Sequence, residues 1–252
     1  VLKAEYKTAV DVEFTAEIIE GDGKPQIAIT LIQCRPLSYI KDEGHTAVPT
    51  NLQSQDMLFS SSIMVAGGWL EEINYVLYVE PESYFAIQTQ AERYKLERAI
   101  GKLNTALAGE SFICVGPGRW GTSNRDLGVH VDYSDIFNCK ALVELSGVGI
   151  GPAPEPSLGT HFFQDLLEGQ IFPLATYIGE DVFNEDFFLS TPNRLREWIT
   201  ADEKLETCLR LINVGDYQEN QHIELVMDGS SGRAVAFLAP NKQGLNEVEV
   251  RP

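Results

Sequence analysis

Two pairs of polar residues alternate with apolar residues in two segments near the start of the chain. Asp11 and Glu13 lie two positions apart in VDVEFT, and Gln33 and Arg35 lie two positions apart in LIQCRP. If both segments are strands, each pair projects from one face of a sheet. Carboxylates suit magnesium, and a guanidinium binds phosphate through paired donors. The four residues therefore predict a magnesium-nucleotide patch, with an exposed strand face carrying ordinary charge as the alternative.

A second candidate is the glycine-rich stretch GPGRWGTSNRDLGV, residues 116–129, which follows the apolar run FICV. A glycine-rich turn after a strand can point backbone N–H groups at an anion. The spacing fits neither GxxxxGK[ST] nor GxGxxG, and Pro117 removes one donor. Arginine and hydroxyl side chains could still hold a phosphate or carboxylate. The anion-binding candidates are Gly116, Gly118, Arg119, Thr122 and Arg125. The alternative is a structural turn in which Arg119 pairs with an acidic neighbour.

A third candidate is His161 in PSLGTHFFQDLLE. Helical spacing places it on one face with Gln164, Asp165 and Glu168, which makes His161 a weak candidate for general acid-base catalysis. No serine or cysteine nucleophile with a recognisable elbow accompanies it. The alternative is a hydrogen-bonded pair at the surface.

Strands and helices must position these groups. Residues 9–36 predict a hairpin that turns through EGDGKP, and the polar residues 39–55 predict a linker or surface loop. Tyr84 to Leu107 predicts the longest helix, because its apolar residues repeat at helical spacing. Further predicted elements are strands at 56–68, 72–81, 129–131, 141–145 and 171–178, helices at 159–168 and within 201–211, and a closing hairpin of 223–227 and 233–238. The fold class is α/β or α+β, a mixed sheet with flanking helices.

Composition limits the possible partners. Nineteen Lys and Arg against 37 Asp and Glu give a formal charge of −18, which repels nucleic acid and anionic membranes. No apolar stretch reaches the length of a membrane span, and no signal peptide begins the chain, so a cytoplasmic location is expected. The four cysteines show no CxxC spacing and predict buried, reduced thiols.

The first hairpin resembles a known family. VDVEFT followed by LIQCRP is similar to the closing strands of the nucleotide-binding domain of the pyruvate phosphate dikinase and phosphoenolpyruvate synthase family, which has an ATP-grasp fold. The resemblance implies ATP and magnesium as cofactors. It implies that Glu13 and Gln33 contact nucleotide and metal, that Asp11 is a supporting carboxylate at the metal, and that Arg35 lies on the phosphate side.

The glycine-rich stretch and EPSLGTHFFQDL resemble a region that follows this nucleotide-binding segment in bacterial PEP/pyruvate-binding domain proteins. The chain lacks the earlier ATP-grasp portion, a histidine in a phosphocarrier context and a (β/α)8 barrel. We therefore expect a fragment of an ATP-dependent phosphotransferase, a kinase-like transferase, that is inactive alone and whose partner is the missing N-terminal part of the same polypeptide.

This expectation divides the chain into closing ATP-grasp strands at 1–38, a linker at 39–55 and an α/β domain of unassigned role at 56–252. Two alternatives remain for the function. One is a non-catalytic anion-binding or regulatory module that recognises a small anion through Arg119 and Arg125, with His161 as a further candidate. The other is a structural or assembly domain whose glycine, proline and tryptophan residues serve turns and packing.

Overall fold

The structure is a computed structural model. It describes residues 2, 5, 10–19, 25–36, 47–63, 67–152, 155–157 and 160–241, and of Asp11, Arg35 and Pro36 it describes the backbone. Contacts divide the chain into two compact units, Val1–Tyr39 and Ile40–Pro252.

The first unit contains an antiparallel hairpin of β1 (Val10–Ile19) and β2 (Gln26–Pro36). Residues opposite each other in such a pair lie on the same face. One face carries the pairs Phe14 and Leu31, Ala16 and Ile29, and Ile18 and Ile27; the other carries Asp11 and Arg35, Glu13 and Gln33, and Glu17 and Ala28. The predicted hairpin is confirmed, and it is amphipathic.

The second unit is built around a five-stranded sheet. Its strands are β5 (Tyr75–Val79), β6 (Phe112–Pro117), β7 (Ala141–Gly147), β8 (Phe172–Ile178) and β9 (Leu209–Asn213), in the order β8-β7-β6-β5-β9. Strands β5 to β8 are parallel, whereas β9 joins the β5 edge in the antiparallel sense. The carboxyl ends of β5 to β8 therefore share one edge of the sheet.

A four-stranded antiparallel sheet forms a second layer. It consists of β3 (Met57–Ser61), β4 (Gly68–Ile73), β10 (Gln221–Asp228) and β11 (Arg233–Pro240), in the order β3-β11-β10-β4. The predicted closing hairpin is confirmed as β10 and β11. This sheet packs against one face of the five-stranded sheet, because alternate residues such as Val76 and Ile113 share a core with Leu225 and Ala236.

The second unit also contains seven described α-helices, most of which form a third layer on the other face of the five-stranded sheet. They are α1 (Pro81–Ala86), α2 (Gln90–Ala106), α3 (His161–Glu168), α4 (Glu185–Ser190), α5 (Leu195–Trp198), α6 (Glu203–Cys208) and α7 (Val214–Tyr217), with a 3-10 helix at Tyr133–Asp135. On this face, Leu96, Ile100 and Leu103 of α2 share a core with Leu77 and Phe112 of the sheet. Helices α4 and α7 instead contribute to the core between the two sheets.

The predicted fold class is confirmed, since a mixed sheet is flanked by helices. Two element predictions are wrong in detail. The helix expected over 84–107 is two helices, because Ile87 is extended and Thr89 caps a new helix by accepting the N–H of Glu92. The strand expected at 129–131 has no ladder partner; its Val129 and Val131 are buried against the helices instead. The helix predicted within 201–211 is confirmed as α6 (Glu203–Cys208), and β9 begins directly after it at Leu209.

Candidate functional site

The polar face of the hairpin carries the predicted nucleotide contacts. Glu13 lies directly opposite Gln33, and the backbone of Asp11 lies opposite that of Arg35. A β-bulge follows Glu13, since Phe14 pairs with Leu31 and skips Ile32. Bulges occur next to active sites, where they redirect side chains. Glu13 is exposed and Gln33 is half-buried, so this pair is accessible from solvent.

The glycine-rich loop leaves β6 at the carboxyl edge of the parallel strands. Its backbone donors are used inside the protein: the N–H of Gly118 donates to the carbonyl of Leu145, that of Arg119 to Leu127, and that of Trp120 to the Glu144 carboxylate. These three groups therefore do not point at a bound anion. Contacts within the protein account for the course of the loop.

Two glycines shape this loop for packing. A Cβ atom on Gly116 would lie 2.7 Å from a ring carbon of Trp120 and 2.9 Å from the Cβ of Val79. Trp120 is fully buried, so glycine at 116 makes room for its indole ring. Gly118 has φ of 65°, a conformation that favours glycine.

The predicted anion-binding side chains already have partners. The Arg119 Nε donates to the Glu155 carbonyl at 2.8 Å. Arg125 forms a two-point ion pair with Glu97, in which one N···O distance is 3.0 Å. The Thr122 hydroxyl accepts the N–H of Asn124. These contacts are those of the structural alternative, and an anion role for the loop stays a prediction.

Sequence reasoning missed Glu144, a buried carboxyl on β7 beneath this loop. Its Oε1 accepts the N–H of Trp120 at 2.8 Å and the hydroxyl of Ser157 at 2.8 Å, and its Oε2 accepts the N–H of Ser157. Burial raises the pKa of Glu144 to about 7, although these hydrogen bonds and the charge of Arg119 lower it. The signal in the sequence is one acid inside the apolar run ALVELSG. Through these hydrogen bonds, Glu144 connects Trp120 of the glycine-rich loop to Ser157.

His161 begins α3 and is exposed, as are Asp165 and Glu168 on the same helix. The buried side of α3 is formed by Phe163 and Leu166. The candidate face of His161 is therefore a surface of the helix layer. Its catalytic role stays a prediction.

A groove of about 850 Å³ that the sequence did not indicate lies on the helix layer. It is bordered by α2, by residues 130–135 and by residues 198–200. His130 on its border has Nδ1 2.7 Å from the carbonyl oxygen of Thr122. A carbonyl can only accept, so Nδ1 carries the hydrogen, and Nε2 of the neutral ring is an acceptor.

Comparisons with protein-family models, with curated proteins and with solved structures yield no match for this chain. The function is therefore inferred from residues and geometry.

Neither a three-ligand metal cluster nor a membrane-spanning helix occurs among the described residues. No group of three or more His, Cys, Asp or Glu residues in that part of the chain could hold a metal ion. No helix among the same residues is long and apolar enough to cross a membrane. All four cysteines are free thiols; Cys114, Cys139 and Cys208 are buried as expected, whereas Cys34 is half-buried. Burial raises the pKa of Cys208 to about 12, which makes this thiol a poor nucleophile.

Proposed function

We propose that residues 1–38 are the closing hairpin of an ATP-grasp-like nucleotide-binding domain in a cytoplasmic, ATP-dependent phosphotransferase of the pyruvate phosphate dikinase and phosphoenolpyruvate synthase kind. The observation that carries the proposal is the hairpin register. It brings Glu13 opposite Gln33 and the Asp11 position opposite the Arg35 position on one face.

These residue types suit a magnesium nucleotide. Magnesium is usually held by one or two carboxylates together with phosphate oxygens and water. Glu13, supported by Asp11, would supply such ligands, so two acids without a larger acidic cluster are sufficient. Gln33 would donate its amide to the nucleotide, and Arg35 would bind phosphate oxygens through two parallel N–H donors. When bound, the ion would neutralise phosphate charge during transfer.

The opposite face of the hairpin supports the same proposal. Phe14, Ile18, Ile27 and Ile29 on this face are each more than half exposed. An isolated two-stranded hairpin is marginal in water, and an apolar face needs a core to cover it. The rest of an ATP-grasp sheet would supply that core while the polar face remains open to nucleotide.

The test is calorimetric titration with Mg-ATP of this chain and of the longer polypeptide that contains the upstream ATP-grasp portion. We expect no magnesium-dependent binding of ATP by this chain, which lacks most of the phosphate contacts, and clear magnesium-dependent binding by the longer polypeptide. In the longer polypeptide, Glu13→Gln should weaken Mg-ATP binding about tenfold or more, because the metal loses an anionic ligand.

The matched control is Glu17→Gln, which removes the same charge from the same face of β1 without touching the Glu13–Gln33 pair. It should bind Mg-ATP as the unmodified protein does. A gene product without an upstream ATP-grasp portion would contradict the proposal. Equal binding by the two variants would contradict it as well.

For residues 56–252 the contacts favour the structural alternative at the glycine-rich loop. Three successive backbone donors and two arginines of this loop are satisfied within the protein. We propose that the loop stabilises the carboxyl edge of the parallel sheet by tying β6 to β7 and α2. This structural role explains the tryptophan and glycine residues of the loop, and no bound ligand is needed to explain them.

A further inference from the structure

Two cations of helix α2 line the groove on the helix layer. Arg98 and Lys102 both line it, one helical turn apart on α2. No carboxylate of the described residues forms an ion pair with either of them, although neighbouring cations are paired: Lys95 with Asp202, and Arg125 with Glu97. Acids outnumber bases by 37 to 19 in this chain, so unpaired neighbouring cations are not explained by a shortage of carboxylates.

Keeping these two cations side by side has a cost. Like charges at positions i and i+4 of a helix repel each other and destabilise the helix. An anion bound between them would relieve this repulsion. Arg98 is also oriented by an aromatic ring, since its guanidinium carbon lies 5.8 Å from the centre of the Tyr94 ring.

The rest of the groove is bordered by an aromatic ring and by two carboxylates. Trp198 borders it and is only half-buried, with its ring held edge-on against Tyr75 at 5.6 Å. Asp132 and Asp135 border it from the 3-10 helix and the residue before it, and these carboxylates can accept hydrogen bonds from hydroxyl or amino groups. The volume of about 850 Å³ suits a molecule far larger than a phosphate ion.

We propose that this groove binds a nucleoside monophosphate or a closely similar ring-bearing organic phosphate. Arg98 and Lys102 contact the phosphate, Tyr94 and Trp198 contact the ring, and Asp132 and Asp135 accept hydrogen bonds from hydroxyl or amino groups. The site belongs to the second unit and uses none of the hairpin residues proposed to contact ATP. It would give the protein a nucleotide-sensing function beside phosphoryl transfer.

The test is calorimetric titration of the full 252-residue chain carrying Glu13→Gln, so that the hairpin cannot contribute metal-dependent binding. The probes are AMP, adenosine and inorganic phosphate. We expect AMP to bind with Kd below about 1 mM, and adenosine and inorganic phosphate each to bind at least about tenfold more weakly. No AMP binding would overturn the proposal. Equal affinity for adenosine and AMP would show that the cation pair does not contact the phosphate. Equal affinity for phosphate and AMP would show that the ring is not bound. Either result also overturns the proposal.

The decisive variant is Arg98→Gln with Lys102→Gln. It should weaken AMP binding about tenfold or more, because both charged donors are lost. The matched control is Lys140→Gln with Arg233→Gln, which removes the same charge from exposed cations that do not line the groove. The control should bind AMP with unchanged affinity. Equal weakening of AMP binding in both double variants would show only general electrostatic attraction and would overturn the site. In a separate variant, Tyr94→Leu should weaken the binding of AMP but not the binding of inorganic phosphate. Unchanged thermal transitions establish that each variant is folded.

Discussion

Glu144 shows how one side chain can join two loops and make their attachment depend on pH. The carboxyl lies in the core of the helix side of the sheet and is fully buried. Burial disfavours the charged form, whereas three hydrogen bonds from Trp120 and Ser157 favour it. The balance leaves the pKa at about 7, compared with 4.5 for a free glutamate.

This pKa predicts a specific dependence of stability on pH. Between about pH 4.5 and 7 the unfolded chain releases the Glu144 proton while the folded chain retains it, so the free energy of unfolding falls as pH rises. Glu144→Gln cannot ionise and lacks this component. The difference in unfolding free energy between the unmodified protein and Glu144→Gln should fall by about 3 kcal/mol across this window, measured by urea denaturation.

Glu219→Gln, which removes an exposed carboxylate, is the control for general charge effects. It should follow the pH dependence of the unmodified protein closely. If Glu144→Gln does so as well, the carboxyl is not desolvated in solution and the loops are joined by other contacts.

At the scale of elements, the glycine-rich loop is a folded part of the sheet edge. Gly118 and Gly128 form an isolated β-bridge, and the Arg119 N–H donates to the carbonyl of Leu127 beside it. Tyr84 of α1 also donates its hydroxyl to the carbonyl of Gly128 at 2.6 Å. The loop therefore closes on itself and is fixed to the first helix.

Gly128→Ala should destabilise the protein strongly if this structural role is correct. The added Cβ would lie 2.3 Å from the backbone nitrogen of Arg119, and backbone atoms cannot move aside as a flexible side chain can. We expect a loss of about 3 kcal/mol in unfolding free energy. The comparison is Gly149→Ala, where φ is 92° but no heavy atom beyond Gly149 and its two chain neighbours lies within 4 Å of the added Cβ. That variant should lose about 1 kcal/mol. Similar losses in the two variants would mean that the loop is not closely packed.

The elements were predictable where local patterns agree with tertiary packing. The spacing of Leu96, Ile100 and Leu103 indicates α2, and all three residues are buried. The break between α1 and α2 was not predictable from this spacing, because it depends on capping contacts at Thr89. Glu144 was missed for a related reason. Its partners lie in two other segments, which only the folded sheet edge brings together.

At the scale of the whole molecule, the second unit places one mixed sheet between helices and a second sheet. Alternate residues of each central strand serve different cores: Val76 and Tyr78 face the second sheet, whereas Leu77 and Val79 face the helices. A strand buried on both faces reads as a continuous apolar run, which is why β5 and β6 were recognisable in the sequence while the layer on each face was not.

The net charge of −18 predicts that the protein becomes more stable as salt screens its self-repulsion. Exposed ion pairs such as Lys95 with Asp202 weaken under the same conditions, but each contributes only about 0–1 kcal/mol. Raising NaCl from about 0.01 M to 0.1 M shortens the Debye length from about 30 Å to 10 Å. The melting temperature should rise by about 2–4 °C for each kcal/mol of repulsion removed, measured by calorimetry. Sodium sulfate at the same ionic strength distinguishes screening, which depends on ionic strength alone, from stabilisation by surface exclusion of the anion. A melting temperature that falls with NaCl would mean that the ion pairs between helices outweigh the excess of acidic charge.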